Sequence, residues 1–128
     1  MKFGYTIIYV SDVEATINFY KKAFNLEENF LHESKQYGEL STGETKLAFA
    51  SNSLAQSNGV TFLKNDINND AAGFEIAFIT NDVKQSYKYA LSHGAIAIKE
   101  PMTKPWGQEV AYVRDLNGVI IEICSPMG

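Results

Sequence analysis

The chain repeats itself, and that repeat limits the folds open to it. Residues 5–10, YTIIYV, form a β-rich run and lead into SDVEATINFYKKAF. There Val13, Ile17, Tyr20 and Phe24 fall at i, i+4, i+7 and i+11, the stripe of an amphipathic helix. Seventy positions on, EIAFIT (75–80) is again strand-like, and NDVKQSYKYALSHG places Val83, Tyr87 and Ala90 at the same spacing. Asp12 and Val13 thus fall on Asp82 and Val83. Ser11 followed by Glu14 fits a capping box at the first helix start. Gly94 supplies the stop for the second helix.

The latter part of each half also matches, with an offset of 75: STGETKLAFAS (41–51) overlays LNGVIIEICSP (116–126), so that Gly43 falls on Gly118. Each half therefore reads as strand, helix, then two or three antiparallel strands around glycine turns. The expected fold class is α+β, two tandem β-α-β-β-β modules at about 1–52 and 73–126. The linker between them, 53–72, is rich in Asn, Asp, Ser and Gly, with one short strand expected at Val60–Leu63. Two copies of so long a unit are too few for a solenoid.

Composition narrows the function. At 128 residues and 45% hydrophobic content, the chain has the means to bury the core of one compact domain. A net charge of −4 disfavours nucleic acid or an anionic membrane as partner. No apolar run reaches the roughly 18–20 residues of a membrane span, and the start of the chain does not read as a signal peptide. The single cysteine, Cys124, rules out an internal disulfide, so a reducing cytoplasm is the expected compartment. Its place in an apolar strand reads as a structural thiol rather than a nucleophile.

The duplicated unit, with FYKKAF in the first helix and PWGQEVAYVRDLNG before the last strand, resembles the vicinal oxygen chelate superfamily. That superfamily includes glyoxalase I, extradiol dioxygenases, fosfomycin-resistance enzymes and bleomycin-binding resistance proteins. The resemblance spans Tyr5 to about Pro126 and implies two modules forming a curved mixed sheet around a cavity, often completed by a second chain. In the metal-dependent members, ligands stand on the first and last strand of each module. Carried over by the internal offsets, those positions are Tyr5 and Glu75 on the first strands, and Leu47 and Glu122 on the last. The metal enzymes keep histidine at one or both first-strand positions, and this chain has none there.

Transition metals in such a cavity want three or four N/O ligands, with imidazole supplying much of the affinity. A leucine donates nothing, and a phenol of pKa near 10 ligates only when activated. His32, in FLHES, lies on another strand, and His93 stands at a helix C-terminus, where a positive charge is favoured. The expectation is no cofactor and no metal; an oxygen-only divalent site stays open, although more oxygens would be expected of it.

Strand parity then assigns a pocket face. Tyr5, Ile7 and Tyr9 point one way, away from the helix layer. Leu47, Phe49 and Ser51 are expected to join them, as are Glu75, Ala77 and Ile79, and Ile120, Glu122 and Cys124. On the preceding strand the set containing Tyr112 and Arg114 is preferred. Trp106, on a Pro–Trp–Gly turn, reads equally as a structural plug or a stacking platform. The expected ligand set is therefore Tyr5, Ile7, Leu47, Phe49, Glu75, Trp106, Tyr112, Arg114 and Glu122. Apolar walls with sparse polar anchors are the usual make-up of a small-molecule pocket. Glu75 and Glu122 are the candidate anchors for a cationic ligand, or a candidate general base. Otherwise they share a proton or pair with Arg114.

Three functions compete. The first is a metal-free protein that sequesters an aromatic or cationic small molecule, an antibiotic among the options. The second is an enzyme, either a lyase or isomerase like lactoylglutathione lyase or a dioxygenase with an atypical metal, or a metal-free one with a glutamate base. The third is a ligand-sensing domain. The binder is preferred, because imidazoles are missing and no Ser/His/Asp or Cys/His set offers a nucleophile. Open sheet edges further predict a homodimer, with NGVTFL (58–63) near its rim or interface.

Overall fold

The computed structural model describes residues 1–127. The element order is β1 (Tyr5–Val10), α1 (Val13–Ala23), β2 (Glu27–Leu31), β3 (Tyr37–Ser41), β4 (Lys46–Ser51) and α2 (Asn52–Ser57). It continues with β5 (Glu75–Ile79), α3 (Val83–Ser92), β6 (Ile96–Thr103), β7 (Glu109–Arg114) and β8 (Ile120–Cys124). The strands form two four-stranded sheets of matching order, β1-β4-β3-β2 and β5-β8-β7-β6. In each, the first strand runs parallel to the last and the other pairs are antiparallel. The fold is α+β, two tandem β-α-β-β-β modules. The chain divides between Asn65 and Asp66 into two compact units.

In the first unit, α1 buries Val13, Ile17 and Tyr20 against one face of the sheet. Ile8, Val10, Leu40 and Phe49 supply the other half of this core, and the Phe49 ring lies 5.0 Å from that of Tyr20. Gly38 lets the helix come this close, since a Cβ there would run into Ile17 Cδ1. In the second unit Ile121, Ile123, Ala111 and Val113 are buried on the face that α3 covers with Val83 and Ala90. Both helices are capped alike: Asp12 Oδ1 accepts from Ala15 N at 2.9 Å, and Asp82 Oδ1 from Gln85 N at 3.0 Å. The N-cap is therefore Asp12 and not Ser11, because the extended backbone at Asp12 aims its carboxylate at the free amides of the first turn.

The connection differs from its expected form. Asn52–Ser57 is a short helix capped by Ser51, whose hydroxyl accepts from Leu54 N at 3.1 Å. Residues 60–63 form no strand. Instead Phe62 packs on Tyr9 with ring centroids 4.8 Å apart, and Asn65 Nδ2 donates to Tyr9 O at 2.9 Å. A side chain, rather than a ladder, thus satisfies the carbonyl on edge strand β1. Among the described residues no helix is long and apolar enough to cross a membrane.

Candidate ligand-binding site

The register shows which side chains share a face. In the second sheet Glu75 pairs with Ile120, Ala77 with Glu122, and Glu122 with Tyr112. Paired residues project to the same side. Glu75, Glu122 and Tyr112 therefore gather on the face opposite α3. Tyr112 OH donates to Glu122 Oε1 at 2.9 Å, and Glu75 hydrogen-bonds to Glu122. Partial burial of the Glu75 carboxyl, then the neighbouring Glu122 charge and that hydrogen bond, raise Glu75 above the ordinary 4.5. Burial and the bond to Glu122 likewise push the Tyr112 phenol up to about 12. Cys124, on the same strand face and buried, donates to Phe78 O at 3.7 Å, and its thiol is raised to about 11, first by burial and then by Glu122. Glu122 thus accepts from the Tyr112 phenol and stands against the Glu75 carboxyl.

The first sheet departs from its expected arrangement. Leu47 pairs with Thr6 and Phe49 with Ile8, whereas Ala48 pairs with Ile7. Leu47 and Phe49 therefore face α1 and are 6% and 0% exposed, so neither stands beside Tyr5 and Ile7. Ser51, paired with Val10, is on the helix side as well. The cause is one extra residue between Gly43 and the start of β4, compared with Gly118 and β8. A one-residue slip turns every side chain of a strand over. The true counterpart of Glu122 is Ala48, as both pair with the corresponding residue of the first strand, Ile7 or Ala77.

Arg114 is likewise committed elsewhere. Its Nε donates to Gly118 O at 2.8 Å, Nη2 to Asn69 O at 2.7 Å and Nη1 to Ile67 O at 3.3 Å. It ties the start of the second unit to the β7–β8 turn, and all three of these bonds go to backbone carbonyls rather than to either glutamate. Trp106 is 64% exposed, and its indole N–H donates to Gln108 Oε1 at 2.9 Å. The two histidines have local partners: His32 Nδ1 meets Ser34 Oγ, and His93 stacks on Tyr89 at 4.3 Å.

One residue escaped the sequence reading. Glu39, in YGELST, pairs with Ala48 and Phe30 and is only 7% exposed. Its Oε1 accepts from Asn29 Nδ2 at 3.0 Å, and its Oε2 from Tyr37 OH at 2.9 Å. Burial and this bond raise Tyr37 to about 12. The available signal was a carboxylate two positions from a tyrosine in a strand. Its face was not legible, because Tyr37, Gly38, Glu39 and Leu40 alternate too little in polarity to show which side of β3 it takes.

With this geometry in view, the comparisons decide the family. The model of the glyoxalase-like domain matches residues 3–128. The chain belongs to the glyoxalase-like domain family. Its fold is shared with a glyoxalase-related enzyme from Fulvimarina pelagi, at TM-score 0.83 and 18% identity, covering 98% of this chain and 88% of that one. It is shared too with a glyoxalase/bleomycin resistance protein/dioxygenase from Nocardioides, at TM-score 0.78 and 15% identity over 99% and 84% of the two chains. A family enzyme of the same description from Burkholderia phytofirmans PsJN gives TM-score 0.77 and 20% identity over 95% and 96%. No curated protein matches. The metal centre known in parts of this superfamily does not fit the donor set of this glyoxalase-like chain. Ala48 offers no donor, the Tyr112 hydroxyl is spent on Glu122, and Glu75 is hydrogen-bonded to Glu122. Among the described residues no three His, Cys, Asp or Glu stand together as a ligand group.

Proposed function

We propose that this glyoxalase-like protein is a metal-free binder that holds an aromatic or cationic organic molecule and performs no chemistry on it. The observation that carries the reading is the Glu75–Glu122–Tyr112 cluster on the face of the second sheet opposite α3. A carboxyl pair next to a phenol offers a cation charge-assisted hydrogen bonds, worth more than neutral ones. Exposed Ile79 and Trp106 in the same unit supply apolar and stacking surface nearby in the chain. Cationic antibiotics fall within this ligand class. The protein is proposed to work as a cytoplasmic homodimer, without nucleic acid or membrane as partner.

The test has two stages. Calorimetric titration with Zn, Ni, Mn and Fe(II) is expected to give no stoichiometric binding; a tight metal abolished by Glu122→Gln would replace the reading with a metal enzyme. A screen of aromatic and cationic compounds by Trp106 fluorescence should then find a ligand whose affinity falls about tenfold or more in Glu122→Gln, the loss expected for a charge-assisted contact. The raised Glu75 carboxyl favours one further reading, a metal-free proton-transfer enzyme with this pair as general acid and base. Turnover of a bound ligand, lost in Glu122→Gln while binding persists, would favour it.

A further inference from the structure

The chain contains two Asn–Gly steps, Asn58–Gly59 and Asn117–Gly118. Glycine has no Cβ to shield its backbone nitrogen, so that nitrogen can approach the side-chain amide carbon of the asparagine before it. The two steps share this local chemistry, and both glycines have positive φ, 85° and 87°. Their surroundings differ.

Asn117 lies in the β7–β8 turn and is 6% exposed. Its backbone N–H donates to Asp115 Oδ1 at 2.8 Å, an oxygen that also accepts from Val119 N at 2.9 Å. Gly118 N donates to Asp115 O at 3.0 Å, and Gly118 O accepts from Arg114 Nε at 2.8 Å. Asp115 is fully buried, so the Gly118 nitrogen is freed only when the turn and the core beneath it come apart together. Asn58 stands instead at the end of α2, exposed, as the C-cap residue. The Gly59 amide is held there by a bond to Gln56 O at 3.0 Å. α2 has six residues and buries only Ala55 among them, and the last turn of such a helix frays at little cost.

We propose that Asn58 is a site of spontaneous covalent modification, deamidating in the native chain while its twin Asn117 is shielded by its turn. When the end of α2 frays, the Gly59 nitrogen gives its proton to solvent base and attacks Asn58 Cγ. The new N–Cγ bond closes a five-membered succinimide, the Cγ–Nδ2 bond breaks and the nitrogen leaves as ammonia. Water then opens the ring at either carbonyl, leaving an aspartyl or a β-linked isoaspartyl residue. One water enters, one ammonia leaves, and nothing is oxidised or reduced. The new carboxylate lies beside the carbonyls of Leu54, Ala55 and Gln56, at the helix end where negative charge is disfavoured. The segment that follows is the one whose Phe62 packs on Tyr9 and whose Asn65 donates to Tyr9 O. Modification thus loosens the cover of edge strand β1.

The test is to age the full chain in mildly alkaline buffer, native and in urea, and follow the mass of tryptic peptides 47–64 and 115–128, with fragmentation to separate Asn58 from Asn52. In urea both Asn–Gly steps should convert at similar rates. In the native chain Asn58 should keep its urea rate to within about tenfold, whereas Asn117 should slow by about a hundredfold or more, because only larger openings release it. Asn58→Gln, which cannot close a five-membered ring, should abolish the gain in 47–64. Asn58→Asp reproduces the aspartyl product, and the amides of residue 58, Gly59 and Val60 should exchange about two- to fivefold faster in it than in the parent. The proposal is overturned if the fold slows Asn58 as much as Asn117, if the gain in 47–64 survives Asn58→Gln, or if exchange is unchanged in Asn58→Asp.

Discussion

Glu75 and Cys124 make the electrostatics of the second sheet measurable. A carboxyl whose folded pKa lies above its unfolded value keeps its proton more tightly in the native state. Its stabilising contribution is present in full below the ordinary 4.5 and is lost as pH rises through the raised value. Urea midpoints measured upward from pH 4 should therefore fall less steeply in Glu75→Gln than in the parent; equal slopes would mean that the pair is not coupled. For Cys124, a rise from 9.0 to about 11 leaves roughly a hundredfold less thiolate at a given pH, before burial slows access further. Alkylation by iodoacetamide at pH 8 should be at least about a hundredfold slower in the native protein than in urea, and comparable rates would refute the buried-thiol assignment. Glu122 was legible in the sequence because a lone acid in an apolar strand needs a partner. Glu39 was not, because its strand alternates too little to reveal its face.

At the scale of elements, the turn glycines carry the repeat. Gly43 and Gly118 both have φ near +90°, a conformation that side chains rarely adopt. They differ in surroundings. A Cβ on Gly43 would meet nothing within 4 Å, whereas one on Gly118 would press on the Arg114 guanidinium and lie 3.0 Å from Asp66 O. Gly43→Ala should cost about 1–2 kcal/mol from backbone strain alone. Gly118→Ala should cost about 1 kcal/mol more, through overpacking against a bracket that cannot readily move. Chemical denaturation of the two variants checks this, and an equal loss would show that Arg114 yields. The helices were readable from their apolar stripes and from the matched Asp12 and Asp82. The short α2 was not, since its six residues carry no stripe and its cap is an ordinary-looking serine.

For the whole molecule, the proposed homodimer is the prediction that matters most. Each sheet ends in two edge strands, and Ile79, Ile96 and Ile98 on β5 and β6 are exposed. Such apolar edges are normally covered. Light scattering at micromolar concentration should give twice the 14.2 kDa chain mass, and a clean monomer would end the proposal. The sequence by itself determined the duplication, the order of strands and the long helix in each half, the positions of α1 and α3, and the place of Glu75 and Glu122 on one sheet face. Those follow from local periodicity and from copies that report on each other. Only the tertiary structure decided that Leu47 and Phe49 turn inward, that Arg114 serves a loop, and that Glu39 is buried among aromatic rings. The first depends on register across strands, which one extra turn residue reverses without leaving a mark on hydrophobic pattern; the other two depend on which segments distant in sequence, the 67–69 carbonyls and the side chain of Asn29, come to lie against them.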